Sequence, residues 1–123
     1  PFGYGLSYSD FTYEKIESVK QDKKNIRVTV SVKNTSGRDG EEVVQLYASY
    51  PDSKVERPSK QLRAFKRIPI KAGETRKVTL TVPKEELGYW NEGKQMFVVE
   101  PGTVKLLIGA SSEDIRLEGK IRL

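Results

Sequence analysis

The chain has 123 residues, of which 36% are hydrophobic and 32% are charged, and its formal net charge is +5. This length predicts one domain with enough buried surface for a real core, and no apolar run is long enough to cross a membrane. Because cysteine and histidine are both absent, disulfides, thiolate nucleophiles, most acyl-transfer triads and zinc hydrolases are excluded, and we expect no cofactor and no metal site.

The positive charge is spread along the chain. Most basic residues alternate with apolar ones, as Arg27 and Lys33 do, and Lys23-Lys24 is the most notable doublet. Nucleic-acid-binding domains usually concentrate their charge on one face or in a motif. We therefore expect neither a nucleic-acid partner nor a membrane partner.

The first eleven residues are rich in aromatic side chains. Four aromatic residues and two glycines occur between Pro1 and Phe11, ahead of any recognisable strand or helix. On a free domain such a segment would be an unusual apolar tail. We expect residues 1–10 to form a linker that lies against another domain, and residues 11–123 to form the folded domain.

Alternation of apolar and polar residues predicts most of the secondary structure. Ile26, Val28, Val30 and Val32 share one face of a predicted strand, and polar side chains take the other face. Turn residues follow at 35–40. Further strands are predicted at residues 42–50, 62–70, 77–82, 95–100, 104–108 and 115–123, and a single helical turn is predicted at residues 84–87, behind a proline.

This pattern predicts an all-β fold. Seven to eight short strands with regularly spaced turns are typical of an antiparallel, immunoglobulin-like β-sandwich. The cysteine pair of true immunoglobulin domains is absent, which favours the fibronectin type III-like kind. Asn34-Thr35-Ser36 matches the acceptor pattern for N-glycosylation, but we favour its interpretation as a turn.

Two groups of side chains are candidates for binding or chemistry. Adjacent acids occur at 41–42, 85–86 and 113–114, but glycoside hydrolysis needs two carboxylates that face each other across a cleft, so these acids are expected to be solvated. Aromatic side chains can stack on sugar rings, and the candidates are Tyr47, Tyr50, Tyr89 and Trp90. Packing at the core or a sheet edge is the favoured interpretation, whereas exposed, coplanar rings would support sugar binding.

An ordered series of motifs resembles a known family. The motifs are PFGYGLSY at 1–8, GEEVVQLY at 40–47, PSKQLRAFKR at 58–67, LGYW at 87–90, EPG at 100–102 and IGASSEDIR at 108–116. In this order they resemble the C-terminal, fibronectin type III-like domain of family 3 glycoside hydrolases, which include β-glucosidases and β-xylosidases. Small departures occur at Ser9 and Ala64, and neither concerns the chemistry.

The resemblance implies a function without catalysis. In that family the nucleophile and the acid/base residue belong to the preceding domains, so no residue of this chain is expected to be catalytic. The domain would dock on the catalytic domains of the parent glycoside hydrolase and stabilise them. Phe2, Tyr4, Leu6 and Tyr8 would form the docking interface, with Gly3 and Gly5 allowing close approach.

Two alternatives stay open. The chain could be a module that binds polysaccharide or a plant polymer such as lignin or pectin, with Trp90 and the tyrosines as its platform. It could also be a protein-interaction domain that mediates dimerisation or surface attachment.

Overall fold

The computed structural model describes residues 10–123, so Phe2, Tyr4, Leu6 and Tyr8 lie outside the described residues. Nine strands and one short 3₁₀ helix form in this part of the chain. They are β1 (Phe11–Gln21), β2 (Asn25–Asn34), β3 (Gly40–Ser49), β4 (Gln61–Ile70), β5 (Thr75–Pro83), the 3₁₀ helix (Lys84–Leu87), β6 (Tyr89–Asn91), β7 (Met96–Val98), β8 (Thr103–Ser111) and β9 (Asp114–Arg122).

The strands form an antiparallel sandwich. One sheet has the order β9-β8-β3-β4, the other has the order β1-β2-β5, and β6 and β7 form a separate hairpin. The predicted all-β, antiparallel sandwich is confirmed, with nine strands in residues 10–123 instead of seven to eight. No helix in this range is long and apolar enough to cross a membrane.

The core lies between the two sheets. All four apolar side chains that the alternation assigned to one face of β2 are fully buried. They pack in one cluster with apolar side chains of β5 in the same sheet and of β3 and β8 in the facing sheet, which include Val44, Leu46, Val78, Leu80, Leu106 and Ile108. Burying such side chains supplies the main favourable free energy of folding, at about 25 cal/mol per Å².

Strand β1 was missing from the predicted elements, and its irregular register explains why. Its core-facing residues are Phe11, Tyr13, Ile16 and Val19, which do not follow a period of two. The register with β2 shifts between Tyr13 and Lys15 and again between Ile16 and Ser18. Each bulge inserts an extra residue, so the apolar spacing no longer resembles that of a regular strand.

The glycosylation-like motif at Asn34 forms a turn. Asn34 is fully buried, and its side-chain amide donates to the carbonyl oxygens of Arg38 (2.8 Å) and Ile70 (2.9 Å). Its Oδ1 accepts hydrogen bonds from the backbone N–H and the hydroxyl of Ser36. Because both hydrogens of the amide are used inside the fold, Asn34 is a structural residue, in agreement with the favoured interpretation.

Candidate interaction sites

The four aromatic stacking candidates do not form one surface. Tyr47 is half-buried on β3, and its hydroxyl donates to the side chain of Gln45. Tyr50 and Tyr89 both lie beside the guanidinium of Arg57. Trp90 is the most exposed of the four, at 46%. The structure therefore brings together Tyr50 and Tyr89, but around an arginine and not around an open platform.

Arg57 is the centre of this cluster. Its Cζ lies 3.9 Å from the ring centroid of Tyr50 and 5.3 Å from that of Tyr89, and its side chain is only 7% exposed. A guanidinium stacked on an aromatic face gains cation–π attraction, which increases when water is excluded. The ring faces that Arg57 covers are not free to stack on a sugar.

Arg57 also joins three segments of the chain by hydrogen bonds. Its Nη2 donates to Glu100 Oε1 (2.8 Å), and its Nη1 donates to the carbonyl oxygen of Leu87 (2.9 Å). Glu100 further accepts from the Ser53 hydroxyl (2.6 Å) and the Lys54 backbone N–H (3.0 Å). The polar loop between β3 and β4 is thus attached to the end of the 3₁₀ helix and to the segment before β8.

Sequence reasoning did not find this cluster. Arg57 looks like any other cation in a polar loop, and Glu100 was noted only as part of a motif. The two residues are 43 positions apart, and no periodic pattern connects them. A weak indication of an ordered loop is its pair of prolines, Pro51 and Pro58, which restrict the backbone at the two ends of the loop.

The cluster predicts an acid-sensitive contribution to stability. Hydrogen bonds from the Ser53 hydroxyl and the Lys54 N–H, together with Arg57, lower the pKa of Glu100 from 4.5 to about 2. Because the folded pKa lies below the unfolded one, this contribution is complete above about pH 4.5 and is lost as the pH falls towards 2. We expect the free energy of unfolding to fall less steeply in this window for Glu100→Gln than for the wild type. Urea unfolding followed by circular dichroism between pH 7 and pH 2.5 measures this difference, and equal pH slopes would contradict it.

Two of the adjacent acids, which were expected to be solvated, instead have partners within the fold. Glu42 accepts a hydrogen bond of 3.0 Å from the hydroxyl of Tyr13, and Asp114 forms an ion pair of 2.8 Å with Arg116. Burial, aided by Glu42, raises the pKa of Tyr13 well above its usual value, so its hydroxyl stays a donor. These two acids are therefore engaged with Tyr13 and Arg116 inside the fold instead of being solvated. Within residues 10–123 no group of three or more acidic side chains is placed to hold a metal ion.

The β6–β7 hairpin exposes an aromatic pair. The rings of Trp90 and Phe97 have centroids 5.3 Å apart, and their planes are inclined by 75°. Phe97 is 64% exposed. An edge-to-face pair is a stable arrangement of two aromatic rings, but it is not a flat platform. Other large exposed apolar side chains in the described part of the chain are Leu62, Phe65, Met96 and Val99.

Comparison with known proteins identifies similar sequences. The family model described as "Fibronectin type III-like domain" matches residues 42–112. The chain is 40% identical over 126 residues to the thermostable β-glucosidase B of Acetivibrio thermocellus, and 36% identical over 137 residues to the probable β-glucosidase D of Emericella nidulans. These alignments cover 100% and 96% of this chain but 17% of each relative. The chain therefore spans about a sixth of the length of these relatives.

Solved structures show the same relation. The β-glucosidase from Kluyveromyces marxianus in complex with glucose has a TM-score of 0.89 and 37% identity, covering 100% of this chain and 15% of that chain. The GH3 β-glucosidase of Bifidobacterium adolescentis has a TM-score of 0.88 and 34% identity, covering 100% of this chain and 18% of that chain. The whole described fold thus corresponds to a small part of these larger chains.

Proposed function

Since the chain belongs to the fibronectin type III-like domain family, we propose that it is a non-catalytic accessory domain of a family 3 β-glucosidase-type enzyme. In this role it docks on the catalytic domains and stabilises them. Its partners are those catalytic domains, and the residues that hydrolyse the glycoside belong to them.

One observation carries the proposal. β-Glucosidases from bacteria and fungi match essentially the whole of this chain and only about a sixth of their own length. The matched part has a core of its own, with both sheets contributing buried side chains. An independently packed module that makes up so little of an enzyme is suited to support the larger part rather than to perform its chemistry.

In the proposed function, the first ten residues connect the domain to the catalytic domains and contact them. Residues 1–10 form the junction and residues 11–123 the folded module, and Phe2, Tyr4, Leu6 and Tyr8 contact the catalytic domains. Covering several such side chains contributes on the order of several kcal/mol to docking before the entropy of association is subtracted.

A module that binds polysaccharide or lignin is the second candidate function. The exposure of Trp90 favours it, because an exposed tryptophan can stack on a sugar ring. Two observations count against sugar stacking and so favour the docking role. The planes of Trp90 and Phe97 are inclined by 75°, and Arg57 covers the rings of Tyr50 and Tyr89.

A binding experiment separates the two functions. The purified chain is titrated calorimetrically into the A. thermocellus β-glucosidase B from which the matching segment has been removed, at two salt concentrations, and is also mixed with insoluble cellulose and lignin. We expect binding to the enzyme body with negligible binding to the polymers. Because apolar docking is only weakly screened by salt, most of the affinity should persist at the higher concentration.

The same preparation provides the controls. The chain alone should not hydrolyse a chromogenic β-glucoside, and hydrolysis would overturn the proposed function. Retention on cellulose or lignin that Trp90→Ala abolishes, without binding to the enzyme body, would favour the polymer-binding module instead.

A further inference from the structure

A groove runs between the exposed edges of the two sheets. β4 is the edge strand of the four-stranded sheet, and β5 is the edge strand of the three-stranded sheet. The groove has a volume of about 470 Å³, and its lining includes Leu62, Ala64 and Phe65 from β4 and Leu80 and Thr81 from β5. Nothing in the proposed function so far uses this groove.

The groove offers both apolar surface and free backbone groups. Phe65 is 66% exposed, and Leu62 is exposed as well. Among the described strands, β4 pairs with β3 alone, so on its outer side the backbone N–H and C=O groups have no strand partner. Such an edge is a template for an additional extended segment, whose alternate side chains could cover the apolar residues.

The charges around the groove favour an acidic occupant. Arg63 lines both this groove and a neighbouring recess that reaches Phe97, and its Nε is buried without a hydrogen-bond partner in residues 10–123. Lys66 also lines the groove, and neither cation belongs to an ion pair within that range. Within the groove itself Glu86 is the acid beside Arg63 and Lys66, an excess of one positive charge, whereas the recess also holds Glu85.

A second copy of this chain that paired with the same edge in register about Phe65 would meet charge repulsion. If two β4 strands paired antiparallel about Phe65, Arg63 of each copy would lie opposite Arg67 of the other. Like charges directly opposite each other destabilise a strand pair.

We propose that this groove is a docking surface for an extended, acidic polypeptide segment from the remainder of the parent enzyme. Apolar side chains of that segment cover Leu62 and Phe65, and its carboxylates pair with Arg63 and Lys66. This inference rests on the proposed function, since a β-glucosidase relative supplies about five sixths of its chain beyond the matching part.

Hydrogen exchange on an intact enzyme tests whether the groove is occupied. The matching segment of the A. thermocellus β-glucosidase B is replaced by this chain, and backbone exchange is compared between that fusion and the isolated chain. We expect those amides of Gln61–Ile70 that point away from β3 to exchange at least about tenfold more slowly in the fusion, because an occupied edge is protected from solvent, whereas those bonded to β3 are protected in both proteins. β9, at the opposite edge of the same sheet, is the internal comparison and should change less.

Charge reversal supplies a second measurement. Lys66→Glu should weaken calorimetric binding of the isolated chain to the enzyme body by about tenfold at low salt, because a favourable charge contact becomes a repulsive one. Lys120→Glu reverses the charge of a lysine that is likewise exposed, on β9, and as the matched control it should bind like the wild type. Unfolding curves of both isolated variants verify that each remains folded.

The outcomes distinguish this inference from the proposed function. If Lys66→Glu leaves binding to the enzyme body unchanged and only the Trp90–Phe97 hairpin is protected, the proposed role of the groove is wrong. The accessory role would still stand. If there is no binding to the enzyme body and no protection anywhere, both the groove inference and the proposed accessory function are wrong. Slower exchange of β4 in the isolated chain on addition of polygalacturonate, together with an unprotected β4 in the fusion, would show that the groove takes an acidic polysaccharide and would also overturn the inference.

Discussion

Gly109→Ala is expected to reduce the free energy of unfolding by about 3 kcal/mol or more, or to prevent folding altogether. A Cβ at this position would overlap the backbone oxygen of Asp114 and would lie 2.8 Å from the Cα of Ile115. Neither obstacle is the end of a flexible side chain, so the backbone itself would have to move. Gly109 lies on β8, which is paired on both sides, with Gln45 on β3 and Ile115 on β9.

Urea unfolding followed by circular dichroism measures this effect, and Gly37→Ala is the matched control. A Cβ at Gly37 would have no heavy atom within 4 Å, so we expect a change of less than about 0.5 kcal/mol for that variant. Similar unfolding midpoints for the two alanine variants would contradict the argument, because the two sites would then tolerate a side chain equally well.

Arg57→Met is the second substitution with a large expected effect. It keeps a long apolar side chain beside Tyr50 but removes the ion pair with Glu100 and the hydrogen bond to the carbonyl oxygen of Leu87. Breaking a buried pair by removing one partner typically costs about 3–5 kcal/mol, and the 18% exposure of the Glu100 side chain lets water reduce this penalty. Glu100 retains hydrogen bonds from Ser53 and Lys54, so we expect a loss at the lower end, about 3 kcal/mol.

The control for this prediction is an exposed ion pair. Arg67 pairs with Glu41 at 3.3 Å, and both side chains are largely exposed, so Arg67→Met should cost less than about 1 kcal/mol. A double-mutant cycle with Glu100→Gln then measures the coupling between Arg57 and Glu100. Equal losses from the two arginine substitutions, or a coupling near zero, would show that the cluster does not hold the loop between β3 and β4.

The two arginines also show the limits of reasoning from the sequence. Both occur in polar surroundings, and both could be solvated cations. The difference arises because Arg57 meets an acid 43 positions away and two aromatic rings, whereas Arg67 meets Glu41 on the neighbouring strand. Local residue order carries no information about such distant contacts, which depend on how the loops close over the end of the sandwich.

Strands with a regular pleat could be predicted from the sequence. β2 and β5 alternate strictly, so their buried faces follow from the period of two. β1 carries two bulges, and these move its apolar residues out of that period. The aromatic candidates were equally hard to judge, because exposure of Trp90 and cover of Tyr50 are properties of packing.

The class of fold and the family resemblance follow from the amino-acid sequence alone, because hydrophobic alternation, turn residues and ordered motifs are local properties of the chain. The buried cations, the available aromatic rings and the unpaired sheet edges became visible in the folded structure. Those features depend on contacts between distant segments, and their free energies appear only when the two sheets and their connecting loops have come together.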